Sequence, residues 1–286
     1  MAIPYVVSAD IYILMQQWVR ELGFILPNQN FFRSMRMVFC DEMRSMFPYF
    51  DFVEENELRE GMRECILHAG LPPVSLEKIY THTDHTLEIT RCVTREGINC
   101  GLRRRTGFPS LRTQMHELVS AGLCEVVLVD DVIFSGVMMS RLITVMQQMG
   151  INVPKVCTGI GIRKGVEKII ALGCEVECVR LYDEVIDEVC ERDFYPGVPY
   201  AGRSLVGSNN IGVPYLLPFG NPREWASIPQ RREAEFSRFC IAHTIALFEE
   251  IEQCSGKIVK CNDLIRRVLT IPHDNTRFVD ALRKEI

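Results

Sequence analysis

The chain is short of several things, and each shortage removes a class of chemistry. No apolar run reaches the ~18 residues that a membrane-spanning helix needs, so no membrane role is expected. Net positive charge is missing: 32 Lys and Arg stand against 37 Asp and Glu, a formal charge of −5. A surface for generic nucleic-acid binding is therefore not expected. The six histidines are scattered, and the 12 cysteines form no CxxC pair, so zinc-ligand spacing is absent. Cys174 and Cys178 lie in an alternating segment, where residues four apart share one face of a strand. With no secretory leader read at the start, the thiols are expected to be reduced and the protein cytoplasmic. There is no GxSxG, no Walker-type GxxxxGK(S/T), no internal repeat and no low-complexity tract.

What is present is an ordinary globular composition, with 286 residues, 47% hydrophobic and 24% charged. Residues 1–75 read as a helical N-terminal segment. Apolar residues fall at helical spacing over 8–22, 31–47 and 57–68, and the methionines among them read as core filling. Residues 76–190 read as an α/β core. Strands are expected at 78–83, 86–93, 125–129, 155–162 and 175–181, and helices at 109–121, 137–149 and 163–172. Residues 95–112 read as a loop rich in Gly, Arg and Pro. Alternation of strand and helix at this spacing implies a parallel sheet covered by helices. Residues 191–230, rich in Gly, Pro and aromatics, are long for a connection and read as a hood or lid. Residues 231–286 read as a helical C-terminal segment.

The segment Glu125-Val-Val-Leu-Val-Asp130-Asp131-Val-Ile-Phe134-Ser135-Gly136-Val137 carries the chemistry. A strand buried on both faces leads into two carboxylates, a short turn and a new helix. In an open α/β sheet, ligands sit beyond the carboxyl ends of the strands. The free N–H groups of a new helix cradle an anion, and Gly136 lets the backbone approach it. Two acids beside an anion site make sense if they face sugar hydroxyls or a magnesium ion brought by the substrate. The plain alternative is a strand-to-helix turn whose acids answer the helix dipole.

This segment resembles the 5-phosphoribosyl-1-pyrophosphate (PRPP) motif of type I phosphoribosyltransferases. The resemblance implies a phosphoribosyltransferase-type parallel core with helical additions at both ends. It places Asp130 and Asp131 on the ribose and on Mg2+ carried by the substrate. It places Ser135, Gly136 and Val137 on the 5-phosphate. Phe134 stands where the family has a small, polar or acidic residue, and Met138 where a threonine is common. Over residues 84–91, 103–114 and 193–203 the chain looks more like the phosphoribosyltransferase-like proteins of bacterial stress and defence gene clusters than like salvage enzymes.

Pyrophosphate, the leaving group, needs cations. Arg103, Arg104 and Arg105 are candidates, with Arg91 as a second source, because guanidinium groups fork onto phosphate oxygens. A solvated basic turn explains the same run. In the hood, Asp193, Phe194, Tyr195, Tyr200 and Arg203 are candidates for holding a planar base, and a structured surface loop is the alternative. His82, Asp84 and His85 read as polar strand-end residues, with Asp84 or His85 as an alternative base. Gly159-Ile-Gly161-Ile-Arg-Lys-Gly165 misses the dinucleotide fingerprint by one residue and reads as a strand-helix turn. The expected activity is transfer of a phosphoribosyl group between PRPP or a nucleotide and a nitrogenous base, with magnesium pyrophosphate. The alternatives are a non-catalytic PRPP or nucleotide sensor, or a nucleotide N-glycosidic hydrolase. A homodimer is compatible with the sequence.

Overall fold

The computed structural model describes residues 2–286. The chain opens with β1 (Tyr5–Ser8), α1 (Ile11–Leu22), α2 (Gln29–Met46) and β2 (Phe50–Val53). There follow α3 (Glu55–Ala69), β3 (Pro73–Ser75), β4 (His85–Thr86), β5 (Ile89–Val93), β6 (Asn99–Arg104), α4 (Leu111–Ser120), β7 (Glu125–Ile133), α5 (Val137–Gln148), β8 (Asn152–Ile162), α6 (Arg163–Ile170) and β9 (Glu175–Tyr182). The last stretch holds β10 (Asp187–Cys190), β11 (Arg203–Leu205), β12 (Ile211–Val213), α7 (Pro222–Ala226), α8 (Glu233–Ser255), β13 (Arg267–Val268) and α9 (Phe278–Leu282). These elements gather into two units. One comprises Met1–Phe52, Cys92–Asn99 and Ile186–Ile286; the other comprises Val53–Arg91 and Cys100–Val185. Residues 1–52 and 186–286 share a unit because β1, at the start of the chain, pairs with β10 at Asp187–Cys190.

The second unit is the α/β core. Its sheet runs β4-β3-β7-β8-β9, parallel throughout. Val126 to Val129 are wholly buried, as a strand covered on both faces requires. On one face lie Met139, Leu142, Ile143 and Met146 of α5 and Met115 and Leu118 of α4, packed with Val126, Leu128 and Val156. Burying each such side chain contributes about 1.5–3 kcal/mol. The other face is covered by α3 through Leu58, Met62 and Cys65. That helix lies close because residue 61 is glycine: a Cβ there would come 2.6 Å from Val179. Ser110 caps α4 by accepting from the Thr113 N–H at 3.1 Å.

In the first unit, β1 lies parallel to β10 in a sheet of order β10-β1-β2. Aromatic packing dominates its core. Trp18 stacks on Phe24 and meets Phe248 edge-on, and Tyr5 stacks on Phe47. The 191–230 stretch is not a bare loop. It contributes β11 and β12, which pair antiparallel, and β11 also pairs with Cys92 and Val93 at the end of β5.

Two local expectations change. Residues 78–83 form no strand but a loop wrapped around the Glu77 carboxylate. Residues 95–112 contain β6, which carries Arg103 and Arg104. Among the described residues no helix is long and apolar enough to cross a membrane.

Candidate functional site

The strand order of the α/β unit dictates where a crevice opens. From β3 the chain steps outward to β4; from β7 it steps the other way, to β8 and then β9. The reversal lies between β3 and β7, and beyond the carboxyl ends of two such strands the crossover helices diverge. Ser75 at the end of β3 pairs with Val129 of β7, and the Leu76 N–H donates to the Val129 carbonyl at 2.8 Å. The residues that follow are Glu77, two past the end of β3, and Asp130 and Asp131, still on β7, so the acids stand at the switch point. Strand β7 does not stop at these acids but continues to Ile133.

The turn after β7 is Phe134-Ser135-Gly136. Gly136 has φ +68, the left-handed conformation that glycine adopts without strain, and it is the N-cap of α5. The first N–H groups of that helix have no acceptor within it. Ser135 is exposed and Val137 partly so. Among the described residues the Ser135 hydroxyl makes no hydrogen bond. The loop therefore offers a hydroxyl, several N–H groups and a helix dipole at one spot.

Asp130 and Asp131 are both partly exposed, and the Asp131 N–H donates to Asp130 Oδ1 at 3.1 Å. Burial of the carboxyl, and then the neighbouring Asp131 charge, hold the Asp130 pKa well above the ordinary carboxylate range. The Asp131 N–H and the positive charge of Arg91 oppose that push, and Glu77 adds to it. Sequence reasoning missed Glu77, whose side chain lies in a nest of backbone N–H groups. Its carboxylate accepts from Ile79 N at 2.5 Å, Tyr80 N at 2.9 Å and Thr81 N at 2.7 Å, and from the Thr81 hydroxyl. Burial raises its pKa, these donors lower it and Asp131 raises it further. The available signal was an acid two residues past a strand end. Reading 78–83 as a strand concealed it.

Of the arginines, Arg91 is exposed on β5 and acts on Asp130 through its charge. Arg103 is exposed on β6. Arg104 Nη1 donates to the Phe108 carbonyl at 2.5 Å and so braces the following turn. Arg105 Nε lies 3.4 Å from Glu88, which also pairs with Lys78. The run is thus split between structural duties and solvent, not gathered as a single clamp.

The hood residues belong to the other unit. Phe194 and Tyr195 are wholly buried. Phe194 packs edge-on to Phe236 at 5.1 Å, and Tyr195 lies 6.0 Å from Phe39. Both rings are core residues with no exposed face for a planar base, which corrects the expectation that they stack on one. The Asp193 carboxylate accepts from the Gly202 N–H at 2.7 Å. The Arg203 guanidinium lies over the Trp225 ring at 4.6 Å and the Tyr215 ring at 5.2 Å. Tyr200 is left-handed at φ 64, and its carbonyl accepts from Arg266 at 2.8 Å.

No protein-family model matches the chain, and no curated protein matches it. Among solved structures, an orotate phosphoribosyltransferase from Aeropyrum pernix is similar over 44% of this chain and 68% of that chain, at 15% identity and a TM-score of 0.24. A phosphoribosyltransferase from Corynebacterium diphtheriae is similar over 46% of this chain and 80% of that chain, at 14% identity and a TM-score of 0.27. Both likenesses are distant.

Proposed function

We propose that the α/β unit binds PRPP or a nucleotide containing ribose 5-phosphate, and moves the phosphoribosyl group to or from a nitrogenous base with magnesium pyrophosphate. One observation carries this reading. A pair of carboxyls near the carboxyl end of β7 is followed by a turn whose left-handed glycine opens α5, at the switch point of a parallel sheet.

The division of labour follows from charge. The 5-phosphate sits on the N–H groups at the start of α5 and on the Ser135 hydroxyl. The ribose hydroxyls donate to Asp130 and Asp131, which hold the anomeric carbon in place. The transition state is rich in positive charge at the sugar, and the negative charge carried by this acid pair stabilises it. Arg91 and Arg103 are exposed on their strands and would meet the pyrophosphate. Among the described residues no three His, Cys, Asp or Glu side chains gather to hold a metal alone. Magnesium usually takes one or two carboxylates and completes its shell with substrate oxygens and water, which the Asp130–Asp131 pair fits. Bound with the substrate, it would neutralise charge on the departing pyrophosphate. Phe134 supplies no general base, so the acceptor must already be nucleophilic.

A second reading, ligand binding without turnover, is favoured by the same Phe134, whose apolar ring is 39% exposed in the loop. Calorimetric titration of PRPP, with and without magnesium, tests the site in wild type and in the double variant Asp130→Asn/Asp131→Asn. Magnesium-dependent binding that the double variant loses while keeping its unfolding transition is the expected result. Binding or turnover unchanged in that variant removes the acids from the site. Pyrophosphate release on adding bases then separates transfer from sensing, and release of free base from a nucleotide without pyrophosphate marks hydrolysis.

A further inference from the structure

We infer that α6 completes the phosphate site, with Gly165 setting the position of the 134–136 loop and Lys168 locking it in place. The inference deepens the proposed reading of that loop and rests on it.

Gly165 lies in the first turn of α6, where glycine is a poor helix former and needs a reason. The reason is a reciprocal backbone contact. A Cβ on Gly165 would stand 2.3 Å from the Phe134 carbonyl oxygen and 3.0 Å from the Gly136 nitrogen. A Cβ on Gly136 would stand 2.5 Å from the Gly165 carbonyl oxygen. Backbone meets backbone on both sides, so no flexible side chain can give way. Any larger residue at 165 must push the loop off its course.

Lys168 stands three residues on, and that spacing places it on the same helix face as Gly165. Its Nζ donates to the Ser135 carbonyl at 3.0 Å. In a trans peptide the carbonyl and the next N–H point in opposite directions. Holding the Ser135 carbonyl therefore also fixes the direction of the Gly136 N–H, a donor of the phosphate cradle. The ammonium adds a positive charge beside a loop proposed to take a dianion. Lys168 is only partly buried, so a substitution there can test the function without cost to the core. Neither residue belongs to the strand-acid-loop segment that marks the site in sequence.

The test is titration of ribose 5-phosphate into the full chain, as wild type, Gly165→Ala, Lys168→Met and Lys168→Arg, with thermal unfolding and the phosphorus NMR resonance of the bound phosphate followed in parallel. Displacing a binding loop or deleting one charged hydrogen bond is expected to weaken binding by about tenfold or more in Gly165→Ala and Lys168→Met. Lys168→Arg keeps the charge and a donor, so affinity and the bound resonance should return toward wild type. If Gly165→Ala fails to fold, the Met and Arg pair at 168 decides. Wild-type affinity in a folded Lys168→Met, with wild type itself binding, overturns the role of α6 and leaves the reading of the loop standing. Failure of wild type to bind ribose 5-phosphate removes the loop reading first, and this inference with it.

Discussion

Asp10 and Asp130 are both carboxyls pushed upward by burial, yet they answer to different neighbours. Asp130 has a second acid next to it and only Arg91 and a backbone N–H against the push. Asp10 is wholly buried after β1 and faces Arg192, whose backbone N–H donates to Oδ1 at 2.9 Å and whose guanidinium bonds Oδ2. Burial outweighs that partner, and Glu191 and Asp193 add to it, so the Asp10 carboxyl is pushed up from 3.8 to about 7. The folded chain thus keeps a proton that the unfolded chain releases near 3.8. Stability from this group is full below the unfolded value, falls as the pH rises, and levels off above about 7. At ~1.4 kcal/mol per unit the whole effect is at most about 4 kcal/mol. Urea unfolding of wild type and Asp10→Asn across this window checks it. The variant should show a flatter decline between acid and neutral pH, and equal slopes would mean that Asp10 is ionised throughout.

Among the elements, the hood is held from outside its own sequence. Arg266 precedes β13, yet its Nη1 donates to the carbonyls of Tyr200 at 2.8 Å, Ala201 at 3.1 Å and Gly202 at 2.8 Å, and its Nη2 to the Ser204 hydroxyl. A planar fork meets several carbonyls at once, and a lysine cannot copy it. Arg266→Lys should therefore destabilise the fold by about 1–3 kcal/mol, because buried carbonyls lose their donors. Amide exchange should quicken first around residues 200–204; if exchange there is unchanged, the clamp does not hold the loop. This long-range bond also shows why the hood was hard to read in the sequence. Gly, Pro and aromatics shape a pocket or a core equally well, and only the burial of Phe194 and Tyr195 decides between them. Elements carried by their own periodicity were legible: β7, α5, β8, α6 and β9 fall within a few residues of expectation. Strand β6 was not, since partly exposed residues such as Cys100 and Leu102 alternate too weakly with arginine to reveal a strand. The Asp130 to Val137 segment stood out as a candidate site because its residue types are tied to backbone geometry. Glu77, Gly165 and Lys168 were not, because their roles depend on which strands and helices become neighbours.

At the scale of the whole molecule, the chain passes between its two units at residues 52/53, 91/92, 99/100 and 185/186. The α/β unit is thus nearly continuous in sequence, interrupted only by the hairpin tip Cys92–Asn99. Its main hydrophobic cluster, from Val74 to Cys178, draws on no residue outside 53–185. The five strands of its parallel sheet, the acids, the loop of Gly136 and the helix that braces it lie in the same range. A chain segment with its own core and its own hydrogen-bonded sheet can fold alone. A fragment of residues 53–185 is therefore expected to unfold in one cooperative transition and to bind ribose 5-phosphate. Its weak point is the tip, where Cys92 and Val93 give up their pairing with Ser204 and Leu205 of β11, so fraying should be confined to residues 92–99. Circular dichroism during thermal unfolding and amide exchange read the two expectations separately. A fragment that folds but does not bind would mean that the first unit supplies part of the ligand's surroundings. A fragment that stays unfolded would mean that pairing at the hairpin tip, and not the parallel sheet, sets the stability of this core.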